Sequence, residues 1–132
     1  MAFSLEHLGL AASDTVALKD WYLRVFEGKL LFSSADNPPT FFVELCGGLT
    51  VEIYPAKAHF SETGNNSVAG WRHLALRVDS IESARDALIG RGVAFPDPIK
   101  PAGGGGRVLF FADPAGNLLH LVERPQGSIF RR

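Results

Sequence analysis

Short runs of alternating apolar and polar residues make up most of this chain, and twice the alternation gives way to a helical period. Residues 3–10 alternate as a strand, with Leu5, His7 and Gly9 on one face and Leu8 and Leu10 on the other. Ser13 or Asp14 then offers a helix cap, and Leu18, Trp21, Tyr22 and Val25 follow at spacings of three and four. Their rings read as the surface that packs a helix onto a sheet, and Gly28 as its stop. Runs at 29–34, 41–46 and 49–54, separated by Asn37-Pro38-Pro39 and Gly47-Gly48, predict an antiparallel meander. In the last run Thr50, Glu52 and Tyr54 oppose Leu49, Val51 and Ile53. The polar, turn-rich segment 56–69 reads as a connection, with His59 exposed in it.

The pattern restarts at Gly70. Residues 71–78 predict a strand with Trp71, His73, Ala75 and Arg77 on the face opposite Leu74, Leu76 and Val78. Ser80 caps a second helix bearing Ile81, Ala84 and Leu88, which Gly90 or Gly92 ends. A further strand is expected to begin at 93–95, before three prolines and the glycine run 103–106. That run lacks the Lys-Ser/Thr ending and strand-to-helix setting of a nucleotide loop, so it reads as a flexible lid or hairpin loop. Residues 108–123 form a hairpin around the turn Asp113-Pro114-Ala115-Gly116-Asn117. Its returning strand sets Leu118, His120 and Val122 against Leu119, Leu121 and Glu123.

Taken singly, His120 is an ordinary core histidine and Glu52 a solvated strand carboxylate. Their spacing changes that reading. His7 and His73 stand 66 residues apart and Glu52 and His120 stand 68 apart, as an internal duplication would leave them. Each half then has strand, helix and three further strands, with one polar residue on its first strand and one on its last.

Composition narrows the setting. The 132 residues, 46% hydrophobic and 20% charged, have the make-up of one compact domain. A net charge of −1 without a Lys/Arg cluster excludes a phosphate-backbone binder, so no nucleic-acid partner is expected. Cys46 is the single cysteine, and the start MAFSLEHLGL has neither the basic residues nor the long apolar stretch of a signal peptide. A cytoplasmic, reducing location is expected. No apolar run is long enough to span a bilayer, so no membrane partner is expected either.

The segment LEHLGLAASD with Trp21-Tyr22, the restart WRHLALRVDS and the ending FFADPAGNLLHLVE resemble the vicinal oxygen chelate superfamily, which groups glyoxalases, bleomycin-resistance proteins and extradiol dioxygenases. The resemblance covers nearly the whole chain. It implies a glyoxalase-like α+β fold, a single domain over 1–132 in which module one (about 1–56) and module two (about 70–125) are each βαβββ and together form a half-barrel metal cup. It also implies a homodimer, a small-molecule substrate and a divalent ion held by His7, Glu52, His73 and His120. Where the family commonly has glutamate three residues after the turn asparagine, this chain has His120.

Three imidazoles and one carboxylate suit a transition metal (zinc, nickel, iron, cobalt or manganese) and do not suit calcium. In glyoxalase-like members the metal neutralises an enediolate while a ligand carboxylate moves a proton between adjacent carbons. Glu52 is the carboxylate for that catalytic role, with Glu44 on the neighbouring strand as a second candidate. The resemblance thus implies a metal-dependent lyase or isomerase. The alternatives are a ring-cleaving dioxygenase, against which a fourth protein ligand counts, and a metal-free drug- or metabolite-binding resistance protein, in which the ligands would be lost. Arg77 and Arg107 are candidates to clamp a substrate carboxylate or phosphate at the rim, although two solvated surface arginines would look the same.

Overall fold

The first strand, β1 (Leu8–Ala12), is shorter than its alternation pattern. A ladder needs a partner, and the parallel strand β4 (Thr50–Pro55) meets it only from Leu8↔Val51 to Ala12↔Pro55. His7 therefore stands just before β1 and not within it. In this computed structural model, which describes residues 2–59 and 62–130, the chain divides into two units, Met1–Phe60 and Ser61–Arg132. Each unit has the order strand, helix and three strands that the duplication predicts.

In the first unit Asp14 takes an extended conformation and accepts a hydrogen bond from the Ala17 amide, starting helix α1 (Thr15–Val25). Such a cap stabilises a helix by about 1 kcal/mol. The helix buries Leu18, Trp21, Tyr22 and Val25 against a sheet of order β1-β4-β3-β2, with β2 at Lys29–Ser33 and β3 at Phe41–Glu44. Phe41, Val43, Val51 and Ile53 supply the sheet side of that core. The helix does not end on Gly28 as predicted. Glu27 takes the left-handed turn (φ 51°), and Gly28 is needed because a Cβ there would lie 3.0 Å from the Glu44 carbonyl.

The second unit repeats this plan. Ser80 accepts from the Ser83 amide and starts α2 (Ile81–Gly90), after which Gly92 turns left-handed (φ 90°). The sheet has order β5-β8-β7-β6, with β5 at His73–Arg77, β6 at Lys100–Pro101, β7 at Arg107–Ala112 and β8 at Leu118–Glu123. Ile81 and Leu88 pack toward Leu109, Phe111, Leu119 and Leu121. The strand expected from 93–95 is absent among the described residues. Val93 is buried and Phe95 stacks on Phe111 (5.3 Å between centroids), so these residues serve the core without joining a ladder. Trp71 likewise precedes β5, because β8 offers no partner before Leu118, opposite His73. The glycine run is the loop of the β6–β7 hairpin: a Cβ on Gly106 would meet the Glu123 carbonyl oxygen at 1.9 Å. Among the described residues neither sheet closes into a barrel, and no helix is long and apolar enough to cross a membrane.

Candidate metal centre

Register decides which polar side chains meet. In the first unit Gly9 pairs with Glu52, two residues beyond His7, and in the second Ala75 pairs with His120, two residues beyond His73. The offset is the same in both units, so the duplication seen in spacing is also a duplication of geometry. It brings His7 Nε2 to 3.6 Å from Glu52 Oε1, and the rings of His73 and His120 to 4.7 Å between centroids.

All three imidazoles are turned the same way. His7 Nδ1 lies 2.9 Å from Glu6 Oε1, His73 Nδ1 2.8 Å from Asn66 Oδ1, and His120 Nδ1 3.2 Å from the Leu121 carbonyl. Each of these oxygens only accepts, so Nδ1 carries a proton and, in the neutral ring, Nε2 keeps its lone pair. Oxygen partners of this kind orient a metal-binding histidine and fix its tautomer. His7 then points a lone pair at a carboxylate, an arrangement that a cation between them would satisfy. Donors bound side by side to one ion at about 2.0–2.2 Å stand roughly 3–3.5 Å apart, so the 3.6 Å pair fits a transition metal. His120 is the buried member, 5% exposed. Burial lowers its pKa below the ordinary imidazole value, opposed by the Leu121 carbonyl and reinforced by the nearby cations Arg124 and Lys100. It is thereby held neutral, the form that ligates.

The hairpin that carries His120 is fixed by its turn. Asp113 is buried; its Oδ1 accepts from the Ala115 and Asn117 amides and its Oδ2 from the Asn117 side chain. Gly116 takes the left-handed conformation (φ 88°) that the reversal requires.

Two aromatic residues that the sequence reading did not single out complete the pattern. Phe42 lies opposite Glu52 and edge-on to His7 (5.4 Å), and Phe110 lies opposite His120 and edge-on to His73 (5.9 Å). They stand 68 residues apart, the spacing of Glu52 and His120, so the same arithmetic could have found them. Asn66 sits in a loop and had no such signal. An open depression of 520 Å³ beside His73 is lined by Asn66, Gly70, Trp71 and Arg72. The structure brings the four residues together as two pairs, and no group of three or more His, Cys, Asp or Glu side chains placed to hold a metal ion occurs among the described residues.

The arginine expectation needs correction. Arg107 alternates onto the helix side of its strand, where it grips both carboxylate oxygens of Glu82 (2.6 and 2.9 Å) and those of Glu123 (3.0 Å each). The Arg107 guanidinium holds the Glu82 carboxyl below the usual carboxylate range, and Glu123 also accepts from the Ile81 amide at the start of α2. Arg107 anchors a helix and does not face the histidines. Arg77 donates to the Phe130 carbonyl at 2.5 Å. Glu44 is exposed and stands opposite Thr50, two rows from Glu52.

Comparison with known proteins places this arrangement. No curated protein matches the chain. Among solved structures, a glyoxalase family protein from Enterococcus faecalis superposes with a TM-score of 0.77 at 25% identity, covering 91% of this chain and 97% of that one. A glyoxylase/bleomycin resistance protein/dioxygenase domain from Frankia sp. EAN1pec superposes at 0.72 with 24% identity and 96% of each chain. The fosfomycin resistance protein FosX from Listeria monocytogenes, crystallised with Mn(II) and 1S,2S-dihydroxypropylphosphonic acid, superposes at 0.70 with 20% identity, covering 96% of this chain and 94% of that one. The model of the glyoxalase/bleomycin resistance protein/dioxygenase superfamily matches residues 4–121, nearly the entire chain, and the chain belongs to that superfamily.

Proposed function

We propose that this chain is a divalent-metal-dependent enzyme of the glyoxalase type, a lyase or isomerase acting on a small substrate with two adjacent oxygens. The observation that carries the reading is the common orientation of three imidazoles, each with Nδ1 tied to an oxygen and Nε2 left as a donor, at repeat-equivalent positions beside one carboxylate. In this reading His7, Glu52, His73 and His120 are the ligand set of a half-barrel cup within a single domain. Each pair supplies two of the four ligands. The two modules of a cup come from one chain or from two, and a homodimer accommodates either. The bound ion would supply Lewis-acid stabilisation of negative charge developing on the substrate oxygens. FosX, crystallised with Mn(II), is the relative that favours a divalent ion.

The protein's own groups have separable tasks. Glu6, Asn66 and the Leu121 carbonyl hold the imidazoles in the ligating tautomer. Phe42 and Phe110 pack against the imidazoles and fix the ring planes. Glu52, half-buried beside His7, is the proton-moving carboxylate.

Metal analysis of protein purified without a histidine tag or chelator tests the reading. Close to one equivalent of a transition metal per chain is expected, and its loss in folded His7→Ala and His73→Ala variants. No uptake after dialysis against zinc, nickel, cobalt, manganese or ferrous ion would remove the enzyme reading. A metal-free binding protein for a small metabolite or drug would then replace it.

A further inference from the structure

The repeat that places the ligands fails at one informative position. Phe32 pairs with Phe42 across the β2–β3 ladder, with ring centroids 6.0 Å apart. Sixty-eight residues later, at the spacing that relates Phe42 to Phe110 and Glu52 to His120, the chain carries Lys100. Its ammonium lies over the Phe110 ring, 4.6 Å from the centroid, and Phe110 in turn lies 4.8 Å from His120. Each unit thus sets a third group against the inner ring, Phe32 directly opposite Phe42 and Lys100 reaching diagonally to Phe110 from its place opposite Val108. That group is a phenyl ring in one unit and an ammonium in the other.

Among the described residues Lys100 has no carboxylate partner. Its sheet face contains none either: by strand alternation and register it holds His73, Ala75 and Arg77 of β5, Val108, Phe110 and Ala112 of β7, and Leu118, His120 and Val122 of β8. The other nearby cations are occupied. Arg77 is bound to the Phe130 carbonyl, and Arg124 donates to the Gly103 and Gly105 carbonyls and stacks on Phe130. An ammonium packed on an aromatic face keeps a fixed position while its hydrogens stay available to an anion. We propose that Lys100 is the anion-recognising residue of the site, so that the substrate carries a carboxylate, phosphate or phosphonate group at the Lys100 end. The inference rests on the ligand reading above, since it assumes that the substrate oxygens sit at His120 and its partners.

A matched pair of probes separates the charge from the adjacent oxygens: glycerol 3-phosphate and glycerol, titrated calorimetrically into metal-loaded protein whose metal content is measured in the same sample. The wild type should bind the phosphate about 10- to 100-fold more tightly, the worth of one charge-assisted contact. Lys100→Met should reduce that preference to about twofold, Lys100→Arg should restore most of it, and Lys57→Met in the exposed connection should leave it intact. A preference unchanged in Lys100→Met, with metal stoichiometric in both proteins, overturns the proposal and leaves the metal reading standing. If the protein takes up no metal, inorganic phosphate titrated into the metal-free form decides the matter by nuclear magnetic resonance. Shifts of the Lys100 and Phe110 amides that vanish in Lys100→Met uphold the anion site without the metal, and their absence in the wild type overturns it.

Discussion

A neutral imidazole buried beside other positive charges makes His120 the residue whose protonation matters most to this fold. Its folded pKa lies below the ordinary value of 6.5, so between those two values the unfolded chain binds a proton that the native chain refuses. Stability is therefore greatest above that window and falls as pH drops through it. Urea unfolding of metal-free protein from pH 7.5 down to pH 5 should show this loss, and His120→Gln should flatten it. Equal slopes for the two proteins would mean that His120 is solvated and does not have the buried character assigned to it. Asn66 shows the complementary case, in which one loop amide sets which nitrogen of His73 is offered to a ligand.

Among the elements, the β7–β8 hairpin has the largest consequence, because its turn determines where His120 falls. Asp113 accepts three hydrogen bonds inside a buried reversal, and Asp113→Ala would leave the Ala115 and Asn117 amides without their acceptor. These bonds are part-buried, and losing one costs about 0.5–1.5 kcal/mol. Chemical denaturation should show a loss of that order, accompanied by weaker metal retention, since the strand that starts at Leu118 would lose its anchor. Unaltered metal retention in a measurably destabilised variant would separate the turn from the site. Helix α2 is tied to the same hairpin by Arg107, which bridges Glu82 and Glu123, so the grip read in the sequence as a substrate clamp serves the fold. These groups are half-buried, and their contribution will be partly screened by salt.

At the scale of the whole molecule, a number of large apolar side chains have nothing to cover them within their own units. Phe3 is 88% exposed, Leu5 73% and Trp71 95%, and the edge strand β2 presents Leu30, Leu31 and Phe32. Apolar surface of this kind marks an interaction site, and a homodimer would bury it. Sedimentation equilibrium at micromolar concentration should give twice the chain mass, and Trp71→Glu should shift the population toward monomer. A wild type that sediments as a monomer would remove the dimer and require another explanation for Trp71.

How much was readable in advance follows from the range of each interaction. Alternation, helix caps and turn residues are local, so the βαβββ order in each half, the caps Asp14 and Ser80, the hairpin about Asp113 and the faces of Glu52 and His120 were all legible in the chain. The duplication was legible too, because equal spacings record equal ladders. Pairing partners are not local. Where β1 and β5 begin depended on where β4 and β8 begin, which moved His7 off its strand, and 93–95 stayed out of the sheet because packing on Phe111 satisfied Phe95. The side chosen by Arg107, the oxygens that orient each imidazole and the stacking of Lys100 on Phe110 likewise came from tertiary structure. Each joins residues far apart in the chain, and their approach is set by ladder register and packing together, which no local pattern encodes.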